Sequence, residues 1–276
     1  MHVHFLPPNI QRAVWTQFDQ AGPKIGHAWP IRYRQSVEAR VSLLRELGVR
    51  RFSALPYAHK PGVATYLNDW ARTFAAAVPE SLWSATFYPE PEAAAYVGEL
   101  VDGGVEVLKV HVQVGEFALD DPLLDDVWAR LEESGTPIVV HAGSGPVPNA
   151  FTGPARLERV LTRWPRLCVV VAHLGAPEYD EFLTLAERFE RVYLDTTMAF
   201  TDFFEELSPY PRSLLSRLAD LREKVLLGSD FPTIPYPYRH QLESLERLGL
   251  GEEWLRAVCW TNGARLFGSS ARAVSD

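Results

Sequence analysis

Short apolar and β-branched runs alternate along this chain with longer stretches in which apolar residues recur every three or four positions. Residues 2–6 read as a stub of strand, and Val37, Val41, Leu44 and Leu47 mark a helix over 34–47. The same alternation predicts strands at 49–55, 82–88, 105–112, 137–141, 167–173, 192–197 and 225–229. Helices are expected at 63–77, 91–102, 122–133, 154–163, 177–188, 203–221 and 238–248, the one over 203–221 interrupted near Pro209 and Pro211. One further helix covers 252 to about 266. Strict alternation implies parallel strands joined by helical crossovers. Eight such units in this length predict an α/β fold, a (β/α)8 TIM barrel. It is expected as a single domain over 1–276, with a truncated first strand and an extra C-terminal helix.

Residues 7–33 show no clear period and contain Trp15, Phe18 and Trp29 among several Gly and Pro residues. Following the first strand, this long loop is expected over the barrel mouth, where long loops are usually functional. The helix side carrying Trp70 and Phe74 is expected to face the core.

With 47% hydrophobic and 22% charged residues, the chain has the composition of a globular protein. Its net charge of -8 argues against a nucleic-acid or anionic-membrane partner. No apolar run approaches the ~18 residues of a membrane span, and no leader pattern is visible. Cys168 and Cys259 are too few for a disulfide framework and are read as reduced core thiols, consistent with a cytoplasmic setting.

Polar residues change the picture, because they collect where a barrel enzyme keeps its site, at the C-terminal ends of strands. His2 and His4 lie on the first strand, Lys109 and His111 on the fourth, His141 on the fifth and His173 on the sixth; Asp230 follows the eighth. Side chains alternate with period two, so His2 and His4 share a face, as do Lys109 and His111. Two imidazoles so placed can converge on one ion, and several imidazoles with a carboxylate suit zinc or a similar divalent metal. Each residue alone has a structural explanation: a hydrogen-bonded histidine at a strand end, or an aspartate capping a turn. Their gathering at matching strand ends has no such explanation.

The motifs His2-Val3-His4-Phe5, Pro137-Ile138-Val139-Val140-His141, Val171-Ala172-His173-Leu174-Gly175, Leu227-Gly228-Ser229-Asp230-Phe231-Pro232 and Asn262-Gly263-Ala264-Arg265-Leu266-Phe267 occur in that order over almost the whole chain. Together they resemble the amidohydrolase superfamily, in the branch that includes aminocarboxymuconate-semialdehyde decarboxylase. The resemblance implies that His2, His4, His141 and Asp230 hold one metal ion, expected to be zinc. It implies that His173 acts in catalysis. In a two-metal arrangement His173 and Lys109 would be ligands too. A departure is that Met1 directly precedes His2, where the family usually has a short apolar strand and an aspartate; the natural reading frame is therefore expected to begin upstream, or several residues to have been lost.

The function expected from this set is metal-dependent hydrolysis of a small amide, lactone or ester. The ion would activate water, Asp230 would carry its proton to the leaving group, and His173 would stabilise the developing oxyanion or assist proton transfer. A non-oxidative decarboxylase of a small unsaturated or aromatic acid would use nearly the same residues. Lys109, His111 and His59, with Lys60 beside it, are the candidates for contacting substrate. A catalytically inactive metal-binding barrel is the third reading. A small-molecule substrate is expected, and a homodimer is compatible with the resemblance.

Overall fold

The β-branched runs become the wall of a barrel whose strands are all parallel. The computed structural model describes residues 2–268. The strands are β1 (Phe52–Ser53), β2 (Ser81–Leu82), β3 (Ser84–Thr86), β4 (Val107–His111), β5 (Ile138–His141), β6 (Val169–Val171), β7 (Val192–Asp195) and β8 (Val225–Leu226). β3 to β8 form one sheet in sequence order, and β1 pairs with β2. β2 and β3 are separated only by Trp83 and together fill the third barrel position.

The first position belongs to residues 2–6, reduced to a single parallel bridge between Val3 and Phe231. It is nonetheless held from both sides. The His2 carbonyl accepts from the backbone N–H groups of Ser229 and Asp230 at 3.1 and 3.0 Å, and His4 N–H donates to the Phe231 carbonyl at 2.7 Å. Across the other edge, Phe5 N–H donates to the Ala54 carbonyl at 2.9 Å. These bonds close the ring and fix the register of both histidines. The eight-position barrel and its short first strand are therefore as the sequence predicts.

The helices are α1 (Pro8–Asp19), α2 (Gly22–Ile25), α3 (Val37–Glu46), α4 (Ala64–Ala77), α5 (Ala93–Asp102), α6 (Val112–Gly115), α7 (Asp125–Ser134), α8 (Pro154–Arg163), α9 (Tyr179–Arg188), α10 (Asp202–Leu207), α11 (Leu215–Asp220), α12 (Tyr238–Glu246), α13 (Glu252–Arg256) and α14 (Asn262–Phe267). The larger apolar core fills the space between these helices and the outer face of the wall. None of the helices in the described residues is long and apolar enough to cross a membrane.

Residues 7–33 depart from expectation. They lie over the mouth, but as α1 and α2 rather than as an irregular loop. Ile10, Val14 and Phe18 recur every fourth residue and line the cavity below, with Pro8 in the first turn of the helix. The extra C-terminal helix is present as α13 and α14 joined by a π turn at Ala257–Thr261. That turn buries Ala257 and Val258 but leaves Cys259 exposed, so only Cys168 is a core thiol.

Period two then separates floor from mouth inside the ring. Leu82, Val107, Val139, Val170 and Leu226 form an apolar plug, with Phe267 of α14 packed into the same cluster. Two residues further along, the same inward positions become Lys109 above Val107 and His141 above Val139. Asn262 ties α14 to the barrel by donating to the carbonyls of Arg222 and Val225, both at 2.7 Å.

Candidate active site

His2 and His4 present their Nε2 atoms to each other at 3.1 Å, both side chains being buried. Asp230 Oδ1 lies 3.0 Å from His4 Nε2 and 3.4 Å from His2 Nε2. The opposite edges of the rings decide the protonation. His2 Nδ1 donates to Asp195 Oδ2 at 2.8 Å, and His4 Nδ1 donates to the Leu55 carbonyl at 2.9 Å. Both partners only accept, so in the neutral rings both Nε2 atoms carry lone pairs. Two lone pairs and a carboxylate therefore meet at one point. They call for positive charge: the Lys109 ammonium 3.4 Å from His2 Nε2, a proton that makes one ring imidazolium, or a metal ion.

The separations fit a metal. With ligand bonds of about 2.1 Å, neighbouring donors stand ~3.0 Å apart at a right angle and ~3.4 Å apart at the tetrahedral angle. His173 joins from β6: its ligand atom, one from His2 and one from Asp230 all lie within 4.8 Å of one another. His173 Nδ1 donates to the Thr197 carbonyl at 3.0 Å, which again leaves Nε2 as the free nitrogen.

His173 is out of phase with the inward positions Val170 and Ala172. A left-handed turn corrects this, with φ of 56° at His173 and 54° at Leu174. Asp230 is also left-handed, at φ 61°. Such a conformation in a non-glycine residue costs on the order of 1–3 kcal/mol and persists only where neighbours impose it. Gly228 makes room beside them: a Cβ there would stand 3.0 Å from both His2 Cβ and Asp195 Oδ1.

His141 faces the same cavity but is not gathered into this group. Its Nε2 donates to the Gly145 carbonyl at 3.1 Å, and its ring stacks on His111. Lys109 is fully buried, with Nζ 3.4 Å from His2 Nε2. It lies against the cluster, not at the entrance. His111 and His59 both line the cavity, His59 at its exposed rim; Lys60 does not line it.

Burial keeps most of these rings neutral. It pushes His2 down to about 3, helped by the Lys109 charge, and lowers His111, His141 and His173. Burial also lowers Lys109 to about 8. For Asp230 burial works the other way, but the close approach of His4 Nε2 at 3.0 Å and the neighbouring histidines outweigh it, favouring the carboxylate and holding the carboxyl well below its usual range.

The motif reading passed over Asp195 and Tyr57. Asp195 ends the run Val192-Tyr193-Leu194-Asp195, the same signal of a carboxylate after an apolar strand that marked Asp230. Tyr57 lines the cavity and meets the His4 ring edge-on at 5.5 Å; its hydroxyl pKa is raised by burial and by Asp230. No sequence signal set Tyr57 apart.

Above the cluster lies a cavity of about 620 Å³. Its upper wall is mostly apolar, from Ile10, Val14, Phe18, Ile25 and Trp29, with Gln11, Gln17 and Lys24 among them and Val147 and Phe204 also lining the cavity.

The family model described as amidohydrolase matches residues 1–269. The chain belongs to the amidohydrolase family. No curated protein sequence matches this amidohydrolase. Among solved structures, it is similar to an uncharacterized TIM-barrel protein from Bordetella bronchiseptica, at 20% identity and a TM-score of 0.76, covering 97% of each chain. It is also similar to 2,6-dihydroxybenzoate decarboxylase from Rhizobium, at 17% identity and a TM-score of 0.67, covering 97% of this chain and 98% of that one. A third likeness is to a probable 2-pyrone-4,6-dicarboxylic acid hydrolase from Acinetobacter baumannii, at 16% identity and a TM-score of 0.62, covering 86% and 92%. At these identities the likenesses establish the fold. The superfamily is one of metal-dependent enzymes, and both hydrolases and decarboxylases stand among these neighbours.

Proposed function

We propose that this amidohydrolase is a metal-dependent hydrolase of small carbonyl compounds: amides, lactones or other esters. The observation that carries the reading is the meeting of His2 Nε2, His4 Nε2 and Asp230 Oδ1 within 3.0–3.4 Å beneath a cavity of about 620 Å³. When bound there, a divalent ion such as zinc supplies Lewis acidity toward a carbonyl oxygen and toward water. His2, His4 and Asp230 would hold it, and His141 would complete the set by releasing Gly145.

Asp230, ionised and partly turned to the cavity, is placed to take the proton of the attacking water and return it to the leaving group. The free Nε2 of His173 lies across the same space, where its lone pair can assist the proton transfer and, once protonated, steady the charge that develops on the carbonyl oxygen. Lys109 adds a positive charge at the base of the cluster. His111 and His59 would touch the substrate from the wall and the rim.

A second reading, decarboxylation of an unsaturated or aromatic acid, is favoured by the apolar upper wall and by Lys109 below it. The two are separated by incubating the protein, loaded with zinc or with manganese, with lactones, amides, esters and unsaturated carboxylates. Acid release without CO2 supports hydrolysis, and stoichiometric CO2 supports the second reading. A metal-loaded protein inert toward every class contradicts both.

A further inference from the structure

Asp195 makes more bonds to this site than any cavity-lining role requires, and it does not itself line the cavity. It is 1% exposed. Its Oδ2 accepts from His2 Nδ1 at 2.8 Å, while Oδ1 accepts from the backbone N–H groups of His173 and Thr197, each at 3.0 Å. One carboxylate thus holds two site histidines by different means. It selects the tautomer of His2 through the side chain. It also anchors the left-handed turn that swings His173 into the mouth, and Thr197 in turn supplies the carbonyl that receives His173 Nδ1–H.

We infer that Asp195 is the positioning residue of this site, fixing His2 as the Nδ1–H tautomer so that Nε2 faces the metal position, and fixing the backbone of His173. This rests on the reading of His2 as a metal-holding residue. A carboxylate can only accept, so His2 Nδ1 must carry the hydrogen and Nε2 the lone pair. An asparagine would keep its carbonyl oxygen for the two backbone N–H groups and turn its amide N–H₂ toward His2. That donor would reverse the tautomer and put a hydrogen on Nε2, where an ion cannot bind. The shape of the site would be unchanged while its chemistry was inverted.

The test is Asp195→Asn, read by the ring ¹⁵N shifts of His2 in the metal-free protein and by competition affinity for Co²⁺. The wild type should show His2 as the Nδ1–H form. The variant should be folded, show the Nε2–H form, and bind Co²⁺ about 10- to 100-fold more weakly. Asp195→Glu, which can still only accept, should keep the Nδ1–H form. A folded Asp195→Asn protein with an unchanged His2 tautomer overturns the inference. So does a wild type found as the Nε2–H form, which needs no variant to fold. If the tautomer reverses but the wild type binds no divalent ion, the metal reading fails and the positioning role stands.

Discussion

His111 and His141 lie face to face across β4 and β5, with ring centroids 3.8 Å apart and planes 11° from parallel. The pairing follows from register, since His111 is the direct partner of His141 in the parallel ladder. Two stacked imidazoles tolerate one charge poorly and two hardly at all. Both are held well below their ordinary 6.5 by burial, and His141 further lowers His111.

A pH dependence follows for the metal-free protein. His2, His111, His141 and His173 all have depressed folded values, so the unfolded chain takes up protons first as pH falls below about 6.5. Stability is therefore full above that pH and declines below it, by about 1.4 kcal/mol per pH unit for each ring. Thermal unfolding in chelator between pH 7.5 and 5 should show this decline, and His111→Phe should make it shallower by about one proton. A flat profile would contradict the neutral, buried rings.

Gly228 is predicted to tolerate no side chain. A Cβ there would press on His2, Asp195 and Thr197. Gly228→Ala should destabilise by about 1–3 kcal/mol through overpacking, and should weaken metal binding by moving His2. Denaturant unfolding and metal titration read the two effects separately; unchanged metal affinity would show that His2 has slack.

The left-handed backbone at His173 separates its chemical from its structural role. Asparagine accepts this conformation, whereas a β-branched residue strains there. His173→Asn should therefore keep the melting temperature near wild type and lower kcat by about 10²- to 10⁴-fold. His173→Val should lose stability as well. Full activity in a well-folded His173→Asn would remove His173 from the reaction.

The upper wall should govern substrate affinity alone. Val14 of α1 lines the cavity and belongs to the cover, not the cluster. Val14→Asp is expected to raise KM at least about tenfold for an apolar substrate while metal content stays the same. A fall in kcat at constant KM would place α1 in the chemistry instead.

Much of this was legible in the residues. Period two on β4 and β5 placed Lys109, His111 and His141 inside the ring, and β-branched runs located the strands that carry them. The cover was not legible as helix, because the apolar face of α1 looks into a cavity rather than a core, and Pro and Gly around it resemble loop. His173 shows a different limit. Strand parity turns it outward, and only the left-handed turn, anchored by Asp195 from the neighbouring strand, brings it in. That contact joins residues 22 positions apart, and no local pattern encodes it.

We propose that His2, His4 and Asp230 form one divalent-metal site. Calorimetric titration of the metal-free protein with zinc tests it most directly. The wild type should bind one equivalent, and both His4→Ala and Asp230→Ala should bind at least about 100-fold more weakly, with their folds retained. Equal zinc affinity in the wild type and these two variants would contradict it.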